Sequence, residues 1–153
     1  MNRHQLEQLE QLEQLKNKFP NAVESIETRL GETTVELKKE FLQPVCEYLK
    51  KEAGLDYLAD LTGLDLGVEA GPRYAVVYHL YSMQGRQRLR LKVKTSDAVD
   101  TVTSVWKGAD WFEREVYDLL GIVFNRHPNL TRIYMPDDFV GHPLRKDYPL
   151  MEE

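Results

Sequence analysis

Residues 73–95 read RYAVVYHLYSMQGRQRLRLKVKT, and this stretch decides the fold. In its first half Tyr74, Val76, Tyr78 and Leu80 share one face, and Ala75, Val77, His79 and Tyr81 share the other. Both faces are fairly apolar, which predicts a central strand. The second half alternates cleanly, with Leu89, Leu91 and Val93 inward and Arg88, Arg90, Lys92 and Lys94 outward. The short link around Gly85 makes the two an antiparallel hairpin. The plain reading of the basic face is solvation, and the sharper one is a docking face for an acidic partner. Nucleic acid fits poorly, because no aromatic residues interleave the cations.

Working outward, Val23–Leu30 and Thr33–Leu37 predict a second hairpin turning at Gly31, and Tyr57–Leu66 another strand. Phe41, Leu42, Val45 and Leu49 repeat at helical spacing. Pro44 fits there only in the first turn, and Gly54 is a suitable stop. Val99, Val102, Val105 and Trp106 suggest a helix despite their β-branched bias, interrupted at Gly108. The run DWFE then resembles a capping box, with Asp110 as N-cap and Glu113 at the third position. The helix it opens buries Phe112, Val116, Leu119 and Leu120 and ends at Gly121. The expected fold is α+β: a mostly antiparallel sheet with helices packed on one face.

Two segments flank this body at 21–124. Residues 1–20 contain HQLEQLEQLEQL, with leucines every third position. At about 100° per residue they spiral over half a helix surface. This predicts a short amphipathic helix docked on its own domain or a neighbour and closed by Pro20. Residues 125–153 hold four of the seven prolines, yet Leu130, Ile133, Tyr134, Met135, Phe139, Leu144, Tyr148 and Leu150 are interspersed. A disordered tail would be short of such residues. The expectation is an extended strap whose backbone groups find partners outside regular helix or sheet, laid over a partner protein.

Composition bounds the function. The chain has 153 residues, 42% hydrophobic and 29% charged, as in an ordinary soluble domain. A net charge of −5 argues against a nucleic-acid coat. One cysteine, Cys46, can form neither an internal disulfide nor a cluster, and it suits a reducing compartment. No run approaches the roughly 20 apolar residues of a membrane span, and no signal peptide is visible. His127, His142, Asp137 and Asp138 lack metal-ligand spacing. Glu113, Glu115 and Asp118 could suggest acid–base work. The structural reading is stronger, with Glu113 spent as a cap and Asp118 paired to Arg114 four residues away. Asn129-Leu130-Thr131 matches a glycosylation sequon that means nothing without export. There is no nucleophile elbow, P-loop or GxGxxG. No self-contained active site assembles.

The run WFEREVYDLLGIVFNRHPNLTRIYMPDDFVGHPLRKDYPL, Trp111 to Leu150, resembles the signature of the 30 kDa subunit of NADH:quinone oxidoreductase, respiratory complex I. The residues that carry the likeness include Glu113, Arg114, Glu115, Asp118, Gly121, His127 and Pro128, followed by the GHPLRKD run. The chain departs at Arg126, where the family often has glycine, and at Thr131, where it often has a basic residue. The resemblance implies a cofactor-free peripheral-arm subunit on the cytoplasmic side of the cell inner membrane. Flavin, iron–sulfur clusters and quinone would sit in partner subunits, and the assembled enzyme would couple electron transfer to proton translocation. It implies docking against the 49 kDa subunit, which helps form the quinone site and resembles the large subunit of nickel–iron hydrogenases. The residues expected there are Arg132, Phe139, Gly141, His142, Pro143, Leu144, Arg145, Lys146, Asp147 and Tyr148. Since the chain stops just past the motif, the 49 kDa subunit is expected as a separate chain. The family also serves membrane-bound hydrogenases, formate hydrogenlyases and reduced-deazaflavin dehydrogenases. A free-standing binding module using the basic strand is the reading from another class.

Overall fold

A computed structural model describes residues 2–150 of the chain. The last three residues of the expected strap, 151–153, lie outside the described residues. Helix α1 (Arg3–Lys18) opens on a capping box, in which the Asn2 side chain accepts from the Gln5 N–H and the Gln5 side chain accepts from the Asn2 N–H. Its leucines do not all pack. Leu12 and Leu15 are buried against Leu49, Leu55 and Leu89, while Leu6 and Leu9 stay about half exposed at 46% and 48%.

The hairpins form as their alternation predicts. Strand β1 (Val23–Arg29) pairs antiparallel with β2 (Glu32–Leu37) through a turn at Leu30-Gly31. A short 3-10 turn leads into α2 (Leu42–Lys51), where Pro44 sits in the first turn. Strands β3 (Tyr57–Asp65), β4 (Tyr74–Tyr81) and β5 (Arg88–Thr95) follow, each antiparallel to the next. The sheet order is β1-β2-β5-β4-β3, and β2 meets β5 in parallel. That pairing is possible because the long connection from β2 to β5 carries α2 and a further hairpin. The inward residues of β4, Tyr74, Val76, Tyr78 and Leu80, are all buried, beside Leu89, Leu91 and Val93 of β5.

The expected helix around Val99–Trp106 does not form. Ala98–Asp100 is instead strand β6, and residues 101–106 make tight turns in which Val105 and Trp106 N–H both reach the Val102 carbonyl. Two causes, one local and one distant in sequence, favour this outcome. The Thr101 hydroxyl accepts from the Thr103 N–H, a competing bond that helices do not offer. And β6 finds a partner far along the chain, β7 (Val123–Asn125), in parallel register across helix α3 (Ala109–Leu120). Helix α3 crosses β3 closely. A Cβ on Gly63 would come within 2.6 Å of Leu120 and 2.8 Å of Val116, so glycine sets how near the helix lies. The helices pack on one face of the large sheet, and β3 with the end of α3 carries the strap.

Candidate functional site

The strap is organised by one buried carboxylate. Asp118 is fully buried near the end of α3. Its Oδ2 accepts from three successive backbone N–H groups, Ile133 (3.1 Å), Tyr134 (2.7 Å) and Met135 (3.1 Å). Its Oδ1 accepts from Arg132 Nη1 at 2.9 Å. Burial pushes this carboxyl up, but the bonds from Tyr134, Met135, Arg132 and Ile133 outweigh burial and hold it below its ordinary value. Arg132 reaches further, donating from Nη2 to the carbonyls of Phe139 (3.0 Å) and Gly141 (2.8 Å). The expected Arg114–Asp118 pair is absent. Asp118 faces inward, where donors that would otherwise be orphaned converge on it. Arg114 lies over the Trp111 ring and bonds the Thr131 hydroxyl at 2.8 Å.

The strap also finishes α3. A helix leaves its last carbonyls without partners. Here the His142 Nδ1–H donates to the Asp118 carbonyl (2.9 Å), the Leu144 N–H to Leu119 (2.9 Å) and Arg145 Nε to Leu120 (2.7 Å). Arg145 thereby also sets a cation at the negative end of the helix. Gly121 caps the helix in the left-handed region at φ 77°, and a side chain there would collide with Arg145 and His142. Farther on, the Lys146 N–H donates to Asp65 Oδ2 at 2.8 Å. Arg73 bridges Asp65 (2.8 Å) to Asp147 (2.9 Å). Hydrogen bonds from Arg73 hold the Asp65 carboxyl well below the usual range, against the opposing effect of burial. The Tyr148 ring stacks on Phe139 at 6.4 Å, close over Gly141.

The start of the strap is fastened differently. Glu113 is not a cap, and Asp110 is not the N-cap, which is Gly108. Glu113 is fully buried and reaches out of α3. It accepts from the Thr101 hydroxyl (2.6 Å) and the Val102 N–H (2.7 Å), so it fastens the turns after β6. Burial pushes its carboxyl up to about 7, against the effect of those two bonds. His127, its side chain also fully buried, places Nε2 3.1 Å from Asp110 Oδ1 and 3.8 Å from Glu113 Oε2. Its Nδ1 accepts from the Asn129 N–H at 3.0 Å, so Nε2 carries the proton. Pro128 is exposed beside it and Glu115 is half-buried on α3. Arg126 stands in the left-handed region at φ 64°, a conformation in which glycine is unstrained.

Most polar ends of the strap are therefore engaged within the chain, namely those of Arg132, His142, Arg145 and Asp147. Exposed apolar side chains remain on it: Tyr134 is 61% exposed, Val140 89%, Leu144 61% and Leu150 95%, with Pro143 half-buried among them and the exposed Asp137, Asp138 and Lys146 nearby. Asp65 and Arg73, which hold the strap's far end, carry no signal in the sequence. They lie eight residues apart across the β3–β4 hairpin, a spacing without local meaning until the strands pair. Among the described residues no three His, Cys, Asp or Glu side chains converge as a metal-ligand set.

Known proteins share this sequence along most of its length. The sequence model of the family described as respiratory-chain NADH dehydrogenase, 30 Kd subunit, matches residues 35–153. A protein of Geobacter metallireducens, named as a subunit of NADH-quinone oxidoreductase, is 47% identical over 138 residues, covering 88% of this chain and 85% of the relative. Its namesake in Geobacter sulfurreducens is 47% identical with the same coverage, and that of Acidothermus cellulolyticus is 41% identical over 87% of this chain and 72% of the relative.

Proposed function

Because the chain belongs to the respiratory-chain NADH dehydrogenase 30 kDa subunit family, and so is a subunit of NADH-quinone oxidoreductase, we propose that its part in that enzyme is architectural: a cofactor-free piece of the peripheral arm, on the cytoplasmic side of the membrane, docked against the 49 kDa subunit that helps form the quinone site. The observation that carries this reading is the strap. The polar ends of Arg132, His142, Arg145 and Asp147 are satisfied at home, yet Tyr134, Val140, Leu144 and Leu150 stand in solvent. A segment held rigid by buried hydrogen bonds, with apolar side chains outward, is preorganised for a partner and loses little entropy on docking.

Two features support the absence of a cofactor in this reading. Cys46 is buried in the core, and burial pushes its thiol up, away from the thiolate that ligates clusters. The buried carboxylates Glu113 and Asp118 are occupied by protein donors. Among the described residues no helix is long and apolar enough to cross a membrane. In this proposal other subunits of the complex provide the membrane anchorage.

The test is the pair Val140→Asp and Leu144→Asp made together. Both side chains are exposed, so the isolated chain melts as the parent does. Burying two such side chains contributes about 3–6 kcal/mol to association, so binding to the quinone-site neighbour weakens on the order of 100-fold or more. Co-purification reads this directly, and whatever complex assembles reduces quinone at a near-normal rate. Undiminished recovery of that neighbour refutes strap docking. Normal assembly with abolished turnover means the strap takes part in the chemistry.

A further inference from the structure

Among the described residues no helix or strand covers the face of the large sheet turned away from the helices, although Ala75 and Val77 on it are buried, and its central strand is positive where the chain is negative. On this face β5 presents Arg88, Arg90, Lys92 and Lys94, opposite Tyr81, His79, Val77 and Ala75 of β4. Strand β2 matches two of the four cations: Arg90 pairs with Glu32, and Lys94 Nζ lies 3.0 Å from Glu36. Arg88 and Lys92 form no ion pair with any described residue; the Arg88 guanidinium rests over the Tyr81 ring at 5.8 Å. At the far edge Glu27 and Arg29 of β1 offset each other. Two further carboxylates stand here: Glu24, which lines a cleft with Glu36 and Lys94, and Asp60, opposite His79, one of whose oxygens already accepts from the Leu61 N–H. A chain of net charge −5 thus shows a locally positive strip. At one end of this face lies a trough of about 430 Å³, lined by Tyr57, Asp60, His79, Tyr81, Arg88 and Arg90. Tyr57 is 52% exposed, and Leu64 on the same face is 41% exposed.

We infer that this bare sheet face is a second docking surface, separate from the strap, and that it receives a segment of a neighbouring subunit bearing acidic side chains beside an aromatic or apolar one. Arg88 and Lys92 are the cations that form no ion pair among the described residues, Glu36, opposite Lys92 in register, being turned to Lys94. They lie four residues apart on one strand, so the carboxylates they receive sit about 13 Å apart, as at positions i and i+4 of an extended segment running along β5. Tyrosine and arginine together in a concavity are the residue types that anchor interfaces. Glu32, Glu36 and Asp60 interleaved with the cations disfavour a polyphosphate chain, which would meet each of them with like charge. The inference rests on the chain's place in a multisubunit enzyme but not on the strap.

The experiment compares lysine acetylation in the isolated chain and in the purified complex, followed by carbodiimide coupling of the complex and mass spectrometry. The expected result is at least ~10-fold less labelling of Lys92 in the complex, with a coupled product joining Lys92 to an Asp or Glu of another subunit, as for a charge pair closed off from water. The double variant Arg88→Glu with Lys92→Glu should melt like the parent in isolation and recover less complex. Equal labelling of Lys92 in both states overturns the inference. Protection that vanishes on delipidation overturns it too, because the occupant is then an anionic lipid. Lys146 on the strap is read in the same spectra, so the two surfaces fail or stand separately.

Discussion

Replacing Asp118 with Asn removes a single charge at the point where the strap is tied to the helix. The amide has one oxygen where the carboxylate has two. If that oxygen keeps the N–H groups of Ile133, Tyr134 and Met135, the new NH₂ faces the Arg132 guanidinium, donor against donor. If it turns to Arg132, three backbone N–H groups meet an NH₂ instead. Either way a buried group loses its partner, and the Arg132 side chain, only 12% exposed, keeps its charge without the ion pair. Breaking such a pair costs about 3–5 kcal/mol. The loss falls first on the strap, so native-state hydrogen exchange is the assay. The amides of residues 133–135 should exchange on the order of 100- to 1,000-fold faster in Asp118→Asn, with strand β4 little changed. Protection at 133–135 equal to that of the parent would falsify the assignment of Asp118 as the tie. Loss of β4 protection in step with the strap would instead show that the two unfold as one unit.

Two further outcomes follow from the same geometry. Glu113 has a folded-state value raised from 4.5 to about 7, so the folded chain binds its proton more tightly than the unfolded chain. This contribution to stability is complete below pH 4.5 and is lost as pH rises through about 7, a change of about 3 kcal/mol; Glu113→Gln has no such proton to lose. Urea unfolding of the two proteins across pH 5 to 8 should therefore diverge, and parallel curves would show that the carboxyl is not perturbed. The neighbouring cations Arg145 and Lys146 should also separate: Arg145→Glu loses the bond to the Leu120 carbonyl and puts a negative charge at a helix C-terminus, costing about 1–3 kcal/mol. Lys146→Glu, exposed and bonded only through its backbone, should stay within about 0.5 kcal/mol of the parent by thermal melting, and equal losses would contradict this division.

Much of the architecture is written locally in the sequence. Alternation along Tyr74–Tyr81 and Arg88–Thr95, the turn at Gly31, Pro44 in a first turn and Gly121 at a helix end each follow from neighbours a few residues away, and the structure contains all of them. The family was likewise legible in the run from Trp111 to Leu150. What the sequence could not decide was choice of partner among distant groups. Val99 to Trp106 has helical spacing, yet β6 pairs with β7 across α3. Glu113 stands where a capping residue would, yet it turns to Thr101 and Val102. Asp118 has Arg114 four residues away, yet it bonds Arg132 and the backbone of residues 133–135. In the two carboxylate cases a side chain near one partner in sequence is nearer in space to donors that burial would otherwise leave unsatisfied, and an unsatisfied buried donor costs more than an exposed pair returns. Periodicity and spacing along one dimension set the elements; which polar groups are orphaned, and which carboxylate answers them, exists as a question only once the chain has packed.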